Sequence, residues 1–116
     1  MKLRIKGNSI RYRLSKSDVD RFINTGIVTE ETDFGNNTLR YELRTTEAES
    51  MSATFENNSI IIFLPENLAN IWSDPEKVGF NDTYEKLSLL IEKDFQCIDN
   101  TLEDQSDNYP NPLLKC

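Results

Sequence analysis

The segment KLRIKGNSIRYRL, residues 2–14, alternates charged and apolar side chains on both sides of Gly7-Asn8. Alternation with a period of two is typical of a strand with one buried face, and Gly-Asn between two such runs is a two-residue turn signal. The segment therefore predicts a β-hairpin of residues 2–6 and 9–14. Its inner face carries the apolar side chains Leu3, Ile5, Ile10, Tyr12 and Leu14.

A helix is predicted directly after this hairpin. Ser15 or Ser17 can cap its first turn, each with an aspartate three residues later, and Gly26 can end it. Apolar side chains recur between these signals at helical spacing. We therefore expect a short helix at about residues 16–25.

Beyond the first helix, the chain shows strand signals and a single further helix signal. Residues 60–63 are apolar without alternation, which predicts a central strand buried on both faces. Asn81-Asp82 reads as a turn, and no internal repeat is evident. The pattern predicts strands at 27–34, 38–45, 51–56, 59–64 and 84–94, and a second helix at about 65–73.

Short connections join these elements, whereas parallel pairing of successive strands needs longer crossovers. We therefore expect an α+β fold with a single, mainly antiparallel, twisted sheet that could curl toward a barrel, and two short helices. The regular pattern stops at Cys97. The predicted organisation is one α+β domain at residues 1–97 and an irregular acidic strap or tail at residues 98–116.

Composition excludes several classes of function. The chain has 116 residues, a net charge of −7 and no histidine. Its acidity disfavours nucleic acid as a partner. The lack of histidine removes the usual zinc and haem ligands and the commonest general base. No signal peptide or apolar span of membrane length is visible, so we expect a cytoplasmic protein that has no cofactor or metal. We favour a protein that is not an enzyme.

The predicted hairpin concentrates positive charge, although the chain as a whole is acidic. Its register places five cations on one face of the sheet, with like charges opposite one another, which is destabilising unless anions lie nearby. The functional interpretation is a site for an anionic ligand or an acidic protein segment. Alternatively, Glu30, Glu42, Glu92 or the acidic tail neutralises this face. The proposed ligand-binding residues are Arg4, Lys6, Arg11 and Arg13, with Lys2 completing the face.

The C-terminal segment offers a second candidate site around Asp107, Tyr109 and the cysteines Cys97 and Cys116. Its Asp and Asn oxygens suit a hard cation only weakly, because the spacing of a calcium loop is missing. The segment could equally be a structural strap with Tyr109 docked in the core. The two thiols could be unrelated, or they could form a disulfide or redox switch if the tail brings them together.

Three segments carry a resemblance to a known family: KLRIKGNSIRYRLSKSDVDRF, SATFENNSIIIFLPENLA and EKDFQCIDNTLEDQSDNYPNP. Together they resemble a family of short, uncharacterised bacterial proteins over nearly the whole chain. The resemblance implies a free-standing cytoplasmic protein and supplies no catalytic residues. The matching positions are Arg4, Lys6, Gly7, Arg11, Asp94, Cys97, Asp107, Tyr109, Pro110 and Pro112.

The sequence thus favours a non-enzymatic binding or accessory domain that uses its basic hairpin. The competing hypothesis is a small thiol-dependent redox or metal-binding protein that uses Cys97 and Cys116 beside Asp107. A homodimer formed through an unpaired sheet edge is a third possibility.

Overall fold

The structure is a computed structural model that describes residues 1–95. Within that range it contains eight strands and two helices. The elements are β1 (Lys2–Lys6), β2 (Ser9–Leu14), α1 (Lys16–Thr25), β3 (Ile27–Asp33), β4 (Thr38–Thr46), β5 (Ser52–Glu56), β6 (Ser59–Pro65), α2 (Glu66–Ile71), β7 (Gly79–Tyr84) and β8 (Leu87–Lys93). The predicted strap at residues 98–116 lies outside the described residues. No helix among those described is long and apolar enough to cross a membrane.

The strands form two four-stranded sheets rather than the predicted single sheet. The first sheet has the order β1-β2-β8-β7 and the second the order β3-β4-β6-β5. In each sheet an antiparallel hairpin lies at either edge, and the two central strands run parallel. Both sheets are mixed and neither closes into a barrel. The prediction of one mainly antiparallel sheet is therefore wrong, although the two short helices are confirmed.

The error has a physical reason, because the limit on crossover length applies only to strands that follow one another in the chain. Strands β4 and β6 are separated by the whole of β5, and β2 and β8 by most of the chain. These intervals are long enough to allow parallel pairing.

The first hairpin forms as predicted, with the same bounds and the same register. Lys6 pairs with Ser9 and Arg4 with Arg11. Gly7 has a φ of 53° in the turn, a conformation that glycine adopts without steric penalty. Local turn chemistry and alternation therefore fix this element.

Helix α1 also has its predicted bounds. The Asp18 backbone amide donates to Ser15 Oγ at 3.2 Å, and the Ser15 amide donates to Asp18 Oδ2 at 3.1 Å, which completes a capping box. Gly26 ends the helix in the left-handed conformation, with a φ of 81°. Val19 and Phe22 are buried on its inner side. Helix α2 is shorter than predicted at both ends: Pro65 still belongs to β6, and the helix ends at Ile71.

The prediction fails most clearly at residues 79–94, where a single strand with a preceding turn was expected. Asn81 and Asp82 lie inside β7, and the turn falls at Glu85-Lys86 with a φ of 55° at Glu85. Asp82 is tolerated in the strand because its Oδ2 accepts from the Met51 amide at 3.1 Å.

The core lies between the inner faces of the two sheets and the helices. Its largest side chain, Trp72, makes edge-to-face contacts with Phe22 and Phe80, with ring centroids 6.1 and 5.5 Å apart. Tyr12 is fully buried, and its hydroxyl donates to the Ile60 carbonyl at 3.1 Å. This bond links the first sheet to the second through the middle of the core.

The structure reveals an internal repeat, which sequence inspection missed. The order β1-β2-α1-β3-β4 recurs as β5-β6-α2-β7-β8. The segment KGNSI at residues 6–10 corresponds to ENNSI fifty positions later, and the hairpins have the same turn length and register. Core residues correspond as well: Ile10 with Ile60, Leu14 with Leu64, and Phe22 with Trp72.

The two halves of the repeat exchange their hairpins. Each sheet takes one hairpin from each half, so β2 pairs with β8 and β4 with β6. The equivalence extends to polar contacts: the Met1 nitrogen contacts Glu30 on β3, and the Met51 nitrogen contacts Asp82 on β7. The two halves therefore share one core.

Asp18 connects the first helix to the start of the chain, because its carboxylate lies 2.8 Å from the Met1 ammonium group. Burial opposes the charged form of Asp18. The hydrogen bonds from Met1 and Ser15 outweigh that effect and lower the pKa of Asp18 below its ordinary value of 3.8. The charged carboxylate therefore stabilises the folded state.

We predict that Asp18→Asn lowers the free energy of unfolding by about 1–2 kcal/mol at pH 7, because it removes the charge that holds Met1 and weakens the cap. A lowered native pKa gives stability that is present above the unfolded pKa and is lost as the pH falls through the native one. The gap between variant and natural protein should thus close below about pH 4. Urea unfolding over pH 3–7 measures this. Asp20→Asn, on the exposed side of α1, should show no such gap, and an equal effect of both changes would refute the assignment.

Candidate functional site

The strongest candidate site is the outer surface of β1 and β2. Alternation along the hairpin places Ile10, Tyr12 and Leu14 in the core and five cationic side chains on the opposite side. Of the two apolar side chains of β1 predicted to face inward, Leu3 is partly buried and Ile5 is exposed. We call this surface the basic face. It consists of the five cations of the hairpin and of Glu92 on the neighbouring strand β8. The cations are Lys2, Arg4, Lys6, Arg11 and Arg13. The structure therefore brings together all four predicted ligand-binding residues.

Like charges lie directly opposite one another on the basic face. Lys2 pairs with Arg13 and Arg4 with Arg11, while Lys6 lies opposite Ser9 beside the turn. Such pairs repel when they face each other across an antiparallel ladder. The hairpin therefore needs negative charge close by.

Glu92 supplies part of that negative charge. Parallel pairing of β2 with β8 places it beside Arg13, whose Nε donates to Glu92 Oε1 at 2.9 Å. The Nε atom of Arg11 lies 3.6 Å from the same oxygen. Only 17% of the Glu92 side chain and 23% of the Arg11 side chain are exposed. One half-buried carboxylate is thus shared by two guanidinium groups.

Asp94 supplies a second negative charge at one corner of the basic face. Its Oδ2 atom lies 2.7 Å from Lys2 Nζ, and its backbone amide donates to the Leu14 carbonyl at 2.8 Å. Five cations and these two carboxylates leave a net charge of +3 on the described part of this surface. The chain as a whole carries −7.

The other two carboxylates proposed as neutralising partners lie elsewhere. Glu30 contacts the Met1 nitrogen at 3.0 Å. Glu42 lies on the outer side of the second sheet, where Oε2 is 2.6 Å from Arg44 Nη2 and Oε1 accepts from Thr29 Oγ1 at 3.0 Å. Only 3% of the Glu42 side chain is exposed. Nothing in the sequence indicated that Glu42 would be buried there.

The second sheet offers a direct comparison for the basic face. Its outer arginines contact acids: Arg40 Nη2 lies 3.0 Å from Glu31 Oε1 on the neighbouring strand β3, and Arg44 contacts Glu42 on its own strand, β4. The excess of positive charge is therefore specific to the first sheet and is not a general property of the fold.

The side chains of the basic face can form hydrogen bonds and ion pairs with anions. Guanidinium groups present planar arrays of N–H donors that match carboxylate or phosphate oxygens, and lysine adds mobile point charges. Within residues 1–95, no three Asp, Glu, Cys or His side chains cluster closely enough to hold a metal ion. The basic face itself presents no nucleophile beside a base. The arrangement can therefore recognise anions.

The remaining candidate residues, Cys97, Cys116, Asp107 and Tyr109, lie outside the described residues. The same holds for Pro110 and Pro112. A disulfide, a redox pair or a docked Tyr109 accordingly stays a prediction from the sequence.

Gly79 allows β7 to approach β8 closely at Glu92. It pairs with Glu92 across β7 and β8, and a Cβ atom added to it would lie 2.8 Å from Glu92 Cα and 2.9 Å from Glu92 Cβ. Contacts this short force the strands apart, because the obstacle is backbone rather than the end of a flexible side chain.

We predict that Gly79→Ala lowers the free energy of unfolding by about 2–3 kcal/mol, because the strands must shift around Glu92. Gly7→Ala is the control: its φ is positive but no atom lies within 4 Å of the added Cβ, so the loss should stay near 1 kcal/mol. Urea unfolding of both variants measures the difference. Equal losses would show that β7 and β8 yield at this point without penalty.

Comparison with models of protein families gives a match. A family model described as "Family of unknown function (DUF7009)" covers residues 1–113. No curated protein matches the chain. The match confirms that the chain resembles a family of unknown function over nearly its whole length, and it brings no functional residues with it.

Proposed function

The chain belongs to the DUF7009 family of unknown function, and we propose that it is a non-enzymatic binding module whose basic face holds an acidic segment of a partner protein. The ligand-binding residues in this proposal are Arg4, Lys6, Arg11 and Arg13. The bacterial, cytoplasmic setting inferred from the sequence forms part of it.

The main support comes from the internal repeat. The hairpins β1–β2 and β5–β6 have the same turn length and the same pairing register. In the second hairpin, the positions of Arg4, Lys6, Arg11 and Arg13 are taken by Thr54, Glu56, Ile61 and Phe63. The fold therefore builds this hairpin without any of the four cations. Because like charges in register destabilise a hairpin, their presence in only one copy favours a role other than folding.

The spacing of the cations favours an extended peptide. Alternate residues of a strand are separated by about 6.6–6.8 Å, so Lys2, Arg4 and Lys6 form a row roughly 13 Å long. An extended peptide with acidic residues at every second position has the same repeat. A small anion could contact only one cross-strand pair of this hairpin at a time.

The net charge of the molecule also bears on the choice of partner. At physiological ionic strength charges are screened over about 8 Å, so a ligand on the basic face is affected mainly by the local +3. A long polyanion such as nucleic acid extends beyond that surface and is repelled by the rest of an acidic protein. A short acidic segment avoids this repulsion.

The test is an NMR titration of the full chain with a synthetic peptide that alternates glutamate and threonine. We expect shift changes at the amides of residues 2–6 and 9–13, binding that weakens as salt is raised, and a loss of about fivefold in affinity for Arg4→Gln. Arg40→Gln, on the outer side of the second sheet, is the matched control and should leave the affinity unchanged. Inorganic phosphate is titrated in parallel.

The proposal fails if the peptide shifts none of these amides, or if Arg40→Gln weakens binding as much as Arg4→Gln. It also fails if phosphate binds the basic face more tightly than the peptide, because that result identifies a small-anion site. The titration is repeated on a chain in which Asp99, Glu103, Asp104 and Asp107 are changed to their amides, so that the protein's own acidic segment cannot mask the result.

A further inference from the structure

We propose that the first acidic segment to bind the basic face is the protein's own C-terminal segment, residues 98–116, and that a partner binds by displacing it. This inference rests on the proposed function, because it takes the basic face as the binding surface. Three observations support it: the place where the described chain ends, the opposite charges of the basic face and of residues 98–116, and the length of that segment.

The described chain ends beside the basic face. Strand β8 runs next to β2, and its last residues, Glu92 and Lys93, pair with Arg13 and Leu14. The following residue, Asp94, contacts Lys2 at 2.7 Å. The segment that continues from residue 95 therefore starts at a corner of the basic face, where one acid of the same chain is already bound to one of its cations.

The charges of the two parties are complementary. Residues 98–116 contain one cation, Lys115, and four acids, Asp99, Glu103, Asp104 and Asp107. Their sum is −3, which equals in magnitude the +3 that the described residues leave on the basic face. Among the described contacts, Glu92 and Asp94 are acids that lie against these cations. The repulsion within the hairpin falls when further carboxylates approach.

The length of the segment is sufficient for it to span the whole surface. An extended chain covers about 3.3–3.6 Å per residue, so the thirteen residues from Asp94 to Asp107 can reach over 40 Å. The row from Lys2 to Lys6 is about a third of that length. Covalent attachment keeps the carboxylates at an effective concentration of order millimolar, so that even weak exposed ion pairs are populated.

Competition then follows from mass action. An outside acidic segment must exceed the effective concentration of the attached one or carry more charge, so the attached segment sets a threshold for binding. Neutralising the four acids of residues 98–116 removes the competitor and should raise the affinity of the glutamate-threonine peptide about tenfold. The same change should leave the amide chemical shifts of Arg40 and of the rest of the second sheet unchanged.

The direct test uses a spin label in the full-length chain. Thr101, between the first two acids, is changed to cysteine and labelled, with Cys97 and Cys116 changed to serine. We expect selective broadening of the amide signals of residues 2–6 and 11–13 over those of the equivalent strands, residues 52–56 and 61–63. The broadening should fall when the four acids become amides, when Arg4 becomes Gln, or when salt is raised.

Uniform broadening of both sheets, or broadening that persists in the amide variant, overturns the inference. The label needs no partner, so the two proposals fail separately. If the broadening is selective but the peptide does not bind the amide variant, the proposed partner is refuted and the contact between residues 98–116 and the basic face is supported. If the peptide binds but the broadening is not selective, the proposed partner is supported and the contact between residues 98–116 and the basic face is refuted.

Discussion

Parallel pairing of β2 with β8 joins the beginning of the described chain to its end, and both the fold and the site depend on it. The pairing completes the first sheet and buries Leu89 and Ile91 against the core. It also places Glu92 between Arg11 and Arg13 and brings Asp94 to Lys2. Without β8, five cations would face one another on an isolated hairpin, which is marginal in water even without such repulsion. The same contact therefore stabilises the basic face and determines its net charge.

The internal repeat separates what the fold requires from what it tolerates. Inner positions keep their apolar character in both halves, as with Leu14 and Leu64, because they fill a shared core. Outer positions diverge: Arg11 of one half corresponds to Ile61 of the other. One architecture thus carries an excess of positive charge on the outer surface of one sheet, whereas on the other sheet the outer arginines Arg40 and Arg44 contact acids. A protein that repeats its own scaffold provides its own control for which side chains serve folding.

Local signals predicted a large part of this structure. The first hairpin and α1 were predicted with the correct bounds, and the hairpin with the correct register, because their signals depend on residues close in sequence. These signals are Gly7-Asn8 in the turn and Ser15 and Gly26 at the two ends of the helix. The basic face followed from that register. The division into two sheets could not be predicted, because it depends on strands far apart in sequence. Strand β7 was missed because the Asp82 carboxylate accepts from the Met51 backbone amide, which is distant in sequence. Asp94 was not linked to Lys2 because that contact requires β8 to be in place.

The exchange of hairpins has a consequence for how the protein reaches its native state. Neither sheet can be completed from one half of the chain, since β2 must wait for β8 and β4 for β6. Contacts between residues this far apart raise the contact order and slow folding. On the ribosome, β1, β2 and α1 emerge with their apolar sides uncovered and stay so until nearly the whole described chain has been synthesised. The nascent protein therefore passes through a long interval in which the inner face of its first hairpin is open to chaperones or to a neighbouring copy.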